Sequence, residues 1–294
     1  MIEEKLPGLQ KNIELASYTT FRIGGPADYF FVAKAKEDLI RAVKAAKEFK
    51  LPFFVLAGGS NLLISDKGFR GIAIQNKASR FKLMDTKISV EAGLMLRDLM
   101  PILVENELGG LEWVAGIPGT VGGAIRGNAG AFGKSMADTI DSVEILEVKS
   151  EIKIKKYRTE DCGFNYRDSI FKKRDNLIIL SAEIKLEKKD KKEIQENIKR
   201  FLNYRKEKQP MNFPSAGSIF KNPEDSSAGR LIEDCGLKGK KIGQAQISEK
   251  HANFIINLGE AKAEDILKLI NLAKEKVKEK FGIELEEEIQ FLGF

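Results

Sequence analysis

Apolar positions recur along the chain at two spacings, and the switch between them lays out the elements. Tyr29–Val32 is a short aromatic and β-branched run and predicts a strand. From Lys36 to Phe49 the residues Leu39, Val43, Ala46 and Phe49 return every three or four positions, which places them on one helical face. Phe53–Leu56 is strand-like again, so a βαβ unit with a right-handed crossover is expected. Lys87–Glu91 predicts a strand and Leu96–Asn106 a helix, while Ser142–Val148, Ile152–Tyr157 and Leu177–Leu186 predict strands of a second, small sheet. Farther on, Ala228–Gly236 predicts a short helix ending at a glycine, and His251–Asn257 a strand. Ile266, Ile270, Ala273, Val277 and Phe281 form the stripe of a long amphipathic helix with Gly282 as its C-cap, and Ile283–Phe291 predicts a closing strand. The fold class is α+β, in two or three lobes.

Two stretches break this periodicity with glycine. Gly116 to Gly133 holds seven glycines in eighteen positions. Each glycine costs roughly 0.5–1 kcal/mol of helix stability relative to alanine, so the segment is expected to be non-helical backbone that turns sharply and comes close to something. A second loop, Gly58-Gly-Ser-Asn-Leu62, follows the apolar run Phe53–Leu56. Glycine loops on strand ends suit a large flat or phosphorylated ligand, because bare main chain can approach it and present N–H groups to an anion. Tight turns between packed strands are the plainer alternative.

Composition narrows the field. At 294 residues the chain can bury one large core or two to three ordinary ones, and no segment approaches the roughly 18 apolar residues of a membrane span. The N-terminus has no apolar signal region, and Cys162 and Cys235 are too few for a disulfide framework, so a cytoplasmic protein with reduced thiols is expected. A metal site is not expected, with one histidine, His251, and no cysteine spacing that suits zinc. The net charge of +6 is compatible with nucleic acid or with small polyanions. Lysines nevertheless alternate with glutamates, as over 185–200, which reads as a solvated helix face or linker, so no nucleic-acid partner is expected. No two glycines stand at i and i+2, which disfavours a standard dinucleotide fold, and no P-loop pattern occurs.

Three short patterns carry candidate chemistry: Asn165-Tyr-Arg-Asp-Ser-Ile-Phe-Lys172, Ser215-Ala-Gly-Ser-Ile-Phe-Lys-Asn-Pro223 preceded by Arg205-Lys-Glu-Lys-Gln-Pro210, and Leu285-Glu-Glu-Glu-Ile-Gln-Phe291. Singly, each has an ordinary structural explanation: a turn serine, a paired arginine, a solvated acidic edge. Their order says more. YTTFRIGGPADYFF (18–31), LAGGSNLL, GIPGTVGGAIRGNAGAFG, NYRDSIFK, RKEKQP with SAGSIFKNP, AGRLIEDCGLKG, HANFIIN and GIELEEEIQFLG follow one another along the chain. In this order they closely resemble the UDP-N-acetylenolpyruvoylglucosamine reductases, flavoenzymes of peptidoglycan precursor synthesis. The likeness runs from about Leu15 to Phe291.

The resemblance implies a vanillyl-alcohol-oxidase-type (PCMH-like) FAD-binding fold of two subdomains, 1–78 and 79–190, and a C-terminal α+β substrate domain, 191–294. It implies non-covalent FAD, held by Arg22, Gly58, Gly59, Ser60, Asn61, Leu62, Gly116, Ile117, Gly119, Thr120, Gly122, Gly123, Asn128 and Ala129, with NADPH as hydride donor. A histidyl linkage to flavin has no candidate in residues 1–250, and Cys162 is a poor one. The family's acid is the serine of the GSxFKNP motif, here Ser218, with Arg167 and Glu288 at the substrate carboxyl. Tyr204, Arg205, Lys208, Asn222, His251 and Asn253 become candidates for the UDP-sugar, His251 being as readily a packed structural residue.

Between Lys172 and Arg205 there is room only for a strand and the charged stretch, matching the family's shorter subtype without a tyrosine-lid insertion. Gln290 stands where the family often has arginine, so that charge is absent. A monomer is expected. The resemblance also implies a part in cell shape and division through the cell wall. Two rivals remain: another FAD-linked oxidoreductase of this fold acting on a small alcohol or sugar, and a basic, colourless nucleotide binder.

Overall fold

A computed structural model describes residues 1–294. The chain forms two compact units. One comprises Met1–Gln10, Phe30–Gly58 and Ile72–Asn203; the other comprises Lys11–Tyr29, Gly59–Gly71 and Tyr204–Phe294.

The first unit is built on a five-stranded antiparallel sheet in the order Ile152–Arg158, Ile140–Val148, Leu177–Lys185, Lys87–Glu91, Phe81–Met84. The three later strands are those the alternation foretells, and Lys87–Glu91 joins them. Helix Leu96–Glu105 buries Leu96, Leu99, Met100 and Leu103. Trp113, Val121, Ile125 and Phe171 complete that core. Each such large side chain contributes about 1.5–3 kcal/mol by leaving water. The strand–helix–strand unit is present as Pro26–Ala33, Lys36–Glu48 and Phe53–Leu56. A strand absent from the sequence reading, Phe69–Asn76, lies between its two strands in the sheet and pairs parallel with Phe53–Leu56.

The second unit has its own core around Ile219, Phe220, Ile232, Ile266, Ile270 and Val277. Its long helix, Ala263–Phe281, buries the foretold stripe and ends at Gly282 with φ of 70°, a left-handed C-cap. Phe281 itself is exposed. Asp66 accepts the Ala263 N–H at 3.1 Å and 3.0 Å through its two carboxylate oxygens, which satisfies an orphan donor at that helix start. A short antiparallel sheet joins Lys241–Ile242, Ala245–Ile247 and Ile255–Asn257. Leu62–Ile64 pairs parallel with Gln290–Leu292.

Three expectations need correction. First, the glycine-rich segment contains a helix, Val121–Arg126, despite Gly122 and Gly123. Packing overrides propensity there: a Cβ on Gly122 would lie 2.7 Å from the Ala92 Cβ, so only glycine permits the approach. Second, the regular strand within His251–Asn257 is confined to Ile255–Asn257. Upstream, the Phe254 N–H donates to the His251 carbonyl and closes a turn. Third, only Gln290–Leu292 of the closing segment is a regular strand, and residues 286–288 instead bond to the segment 219–221. The charged stretch 187–200 is largely helix Lys191–Lys208.

Candidate functional site

In the first unit Gly58, the first residue of the shorter glycine loop, packs on the longer glycine segment. Gly58 lies so close to Gly119 that a Cβ on Gly58 would stand 2.7 Å from the Gly119 Cα. The Gly119 carbonyl is occupied, accepting from the Leu96 N–H at 3.0 Å. None of the chain's hydrogen bonds engages the N–H of Gly58 or Gly119. The result is two closely packed glycine backbones whose N–H groups remain free to donate, the kind of main-chain donor that suits a diphosphate. Thr120 is buried, and its Oγ1 accepts from the Gly123 N–H at 3.2 Å, so it caps the short glycine helix. Gly122 is packed while Gly123 faces outward, with nothing nearer than 3.6 Å to a Cβ placed there. Gly116 has φ of 82° and shapes the turn into this helix. Ile117 donates its N–H to Val114 at 2.9 Å.

The same segment reaches Arg167. The guanidinium donates to the Gly130 carbonyl at 2.7 Å and lies 5.2 Å from the Tyr166 ring centroid. Arg167 and Asn128 both have positive φ, 54° and 41°. That conformation is uncommon for side chains other than glycine and marks a backbone fixed by its surroundings. Asn128, buried, donates to the Asn165 carbonyl at 2.8 Å and accepts from the Ala137 N–H at 3.0 Å. Sequence reading missed Ser169, which is wholly buried and donates from Oγ to the Arg126 carbonyl at 2.6 Å. Its place in the Asn165–Lys172 motif was the available signal. The Ala129 N–H closes on the Ala124 carbonyl at 2.8 Å. Burial pushes the Cys162 thiol up to about 12, so it stays protonated and inert.

In the second unit Ser218 and Glu288, seventy positions apart, stand on neighbouring backbones. The Glu288 N–H donates to the Ile219 carbonyl at 2.8 Å and the Lys221 N–H to the Glu286 carbonyl at 2.9 Å. The three successive glutamates behave differently. Glu286 is exposed and paired with Lys221, Glu287 pairs with Lys274 at 2.7 Å, and Glu288 is half-buried. The end of the 58–62 loop is tied to the same ladder: Asn61 Nδ2 donates to the Glu288 carbonyl at 3.1 Å, and Gln290 N–H donates to the Asn61 carbonyl at 3.0 Å. Gly59, with φ of 61°, is pinned through its carbonyl by the Thr20 N–H at 3.0 Å, and a Cβ would strike the Tyr18 carbonyl. Ser60 is half-buried and Leu62 buried. Arg22 is exposed on a left-handed turn, φ 55°.

The remaining candidates scatter. Tyr204 and Lys208 are exposed, and Lys208 pairs with Glu207 at 2.8 Å. Arg205 is buried. Asn222 Oδ1 accepts the Ala228 N–H at 3.1 Å, at the start of helix Ala228–Asp234. Asn253 is buried with its side chain spent on Phe220. His251 accepts the Asn253 N–H on Nδ1 at 3.2 Å, and burial lowers its pKa, so the neutral ring fits the geometry. A cleft of about 390 Å³ opens beside Gln209, Pro210, Phe213, Gln246 and Lys250, and none of the candidate residues lines it. No helix is long and apolar enough to cross a membrane, and no group of three or more His, Cys, Asp or Glu could hold a metal ion.

Comparison with known proteins follows the same outline. A family model described as an FAD binding domain matches residues 27–154. A second, described as the C-terminal domain of UDP-N-acetylenolpyruvoylglucosamine reductase, matches 209–292. The reductase of that name from Caldanaerobacter subterraneus subsp. tengcongensis is 44% identical over 97% of this chain and 94% of its own. Another, from Caldicellulosiruptor bescii, is 44% identical over 96% and 90%. The crystal structure of the reductase from Thermus caldophilus superposes with a TM-score of 0.82 at 36% identity, covering 97% of this chain and 100% of that one.

Proposed function

The chain belongs to the UDP-N-acetylenolpyruvoylglucosamine reductase family and is an FAD-containing oxidoreductase, and on that premise we propose how its residues share the reaction. The substrate is the enolpyruvyl ether of UDP-N-acetylglucosamine and the product UDP-N-acetylmuramate, with NADPH as reductant. When bound, FAD supplies a two-electron relay, taking a hydride from NADPH and giving it to the enolpyruvyl double bond. The residues present fit that group: the close Gly58–Gly119 approach, with both N–H groups free to donate, supplies main-chain donors of the kind a diphosphate takes. We assign Arg22, Gly58, Gly59, Ser60, Asn61, Leu62, Gly116, Ile117, Gly119, Thr120, Gly122, Gly123, Asn128 and Ala129 to holding the flavin. We assign 1–78 and 79–190 to the flavin and 191–294 to the UDP-sugar.

Ser218 is the acid. Its hydroxyl proton goes to the substrate carbon next to the carboxylate, and the hydroxyl is restored from solvent. A serine hydroxyl is a weak donor in water, so it must be aimed at carbanion character stabilised by neighbours. Arg167 takes that task through its planar two-pronged grip on the substrate carboxylate. We assign Glu288 to the substrate carboxyl as well, a role in which it must be protonated or tightly paired to avoid repelling that group. Lys208, Asn222, Tyr204, Arg205 and His251 are assigned to the diphosphate and uridine. The enzyme is proposed to act as a cytoplasmic monomer in cell-wall precursor synthesis, and hence in cell shape and division.

The observation that carries this reading is the Ile219–Glu288 hydrogen bond, which puts the proposed acid and the proposed carboxyl partner on adjacent backbones. Replacing Ser218 by alanine tests it. Stopped-flow absorbance should show flavin reduction by NADPH at the native rate and reoxidation by the enolpyruvyl sugar slowed by roughly 10²–10⁴-fold. Reoxidation at the native rate would reduce Ser218 to a turn residue.

A further inference from the structure

Ser218 lies in a segment with no regular secondary structure of its own, preceded by Gly217 at φ 77°. Such a segment leaves a catalytic hydroxyl poorly aimed unless something else fixes it. Two neighbouring stretches do so. On one side residues 286–288 bond to Ile219 and Lys221. On the other, the Ile219 N–H donates to the Asn253 carbonyl at 2.8 Å, and Ser218 forms an isolated antiparallel bridge with Phe254.

Asn253 adds a second grip on this second side. Its Oδ1 accepts from the Phe220 N–H at 2.9 Å and its Nδ2 donates to the Phe220 carbonyl at 2.8 Å. One carboxamide therefore satisfies both backbone groups of a single buried residue two positions beyond Ser218. Asn253 is only 3% exposed, and its own N–H is taken by His251 Nδ1. A side chain whose acceptor and one donor are both committed to the main chain is a poor ligand for a sugar nucleotide and a good brace.

We propose that Asn253 is the positioning residue of Ser218, acting through the Phe220 backbone and not by touching the substrate. The inference rests on the assignment of Ser218 as the acid. Through Ile219 and its bond to Glu288, the same brace sets the spacing of Ser218 and Glu288. Displacement of a reacting group by about 1 Å can cost roughly 100-fold in rate, which sets the scale of the effect.

The test compares holoenzyme carrying Asn253→Leu, which has similar volume and neither hydrogen bond, with Asn253→Asp, which keeps only the acceptor. Bound FAD and the rate of flavin reduction by NADPH should match the native enzyme and so certify the fold. Reoxidation by the enolpyruvyl sugar should slow roughly 100-fold in the leucine variant and less in the aspartate one. Affinity for the sugar, read from the perturbed spectrum of the oxidised flavin, should be unchanged. Lost affinity with an unchanged reoxidation rate would make Asn253 a substrate ligand and overturn the proposal, and so would native behaviour in both respects. A second measurement needs no variant: amide exchange in the native holoenzyme should find the Phe220 N–H strongly protected, and exchange at the open-chain rate contradicts the brace. If the native enzyme is not reoxidised by the sugar at all, the functional reading fails, an outcome separable from failure of the brace.

Discussion

The two units hold their proposed reactive residues by opposite means. Around Arg167 the first unit relies on backbone conformation: a left-handed arginine, a left-handed asparagine and a short helix whose Gly122 packs against Ala92. Around Ser218 the second unit spends hydrogen bonds, with a nondescript segment braced by residues 253–254 on one side and 286–288 on the other. Strain of the first kind costs of order 1–3 kcal/mol per residue and needs dense support. Bracing of the second kind needs one buried side chain with both its groups satisfied. The difference teaches where tolerance to substitution should lie: in the first unit few backbones can adopt the shape, while in the second few side chains can make the bonds.

The largest expected effect is that of Arg167→Lys. Lysine keeps the charge but loses the planar fork that donates to Gly130 and is proposed to hold a carboxylate. Sugar reduction should fall by roughly 10–100-fold, with weakened affinity for the enolpyruvyl substrate and unaltered flavin reduction. Steady-state kinetics against each substrate reads this out. A fully active lysine variant would make Arg167 a residue of the fold.

Smaller and opposed effects should separate Gly122 from Gly123. Alanine at 122 drives a methyl to 2.7 Å from Ala92 Cβ and 3.0 Å from its carbonyl, an overpacking that typically costs about 1–3 kcal/mol. Alanine at 123 meets nothing closer than 3.6 Å on a helix, where Gly→Ala is worth up to about 1 kcal/mol in favour. Thermal melts should therefore fall for Gly122→Ala and hold or rise for Gly123→Ala. Titration of FAD into apoprotein should show the Gly123 variant weakened in spite of its stability. Unchanged FAD affinity there would mean that main chain does not meet the cofactor at 123, leaving the glycine pair purely structural.

The same contrast explains what could be read from sequence. Glycine density announces constrained backbone, so the loops at 58–62 and 116–133 and the C-cap at Gly282 were legible, as were strands whose alternation faces one core. Helix Val121–Arg126 was not, because Gly122 serves a close approach to Ala92 that no local pattern encodes. Strand Phe69–Asn76 escaped because it is buried over much of its length and carries no clean alternation. Glu288 looks identical to Glu286 and Glu287 in the sequence; the fold separates them by pairing Glu286 with Lys221 and Glu287 with Lys274 while the Glu288 N–H bonds to Ile219. Asn253 was noticed for its motif, but its work on Phe220 depends on a contact 33 positions away. Order along the chain identified the family; tertiary contact alone separates a ligand from a brace.

The most direct test of the account is optical. The purified protein, kept anaerobic, should be yellow, release FAD on heating and bleach when NADPH is added. Addition of the enolpyruvyl UDP-sugar should then restore the oxidised spectrum within the mixing time of a turnover experiment and yield one UDP-N-acetylmuramate per flavin. A bleached protein that the sugar leaves bleached, or a colourless protein that retains no FAD, would contradict the account.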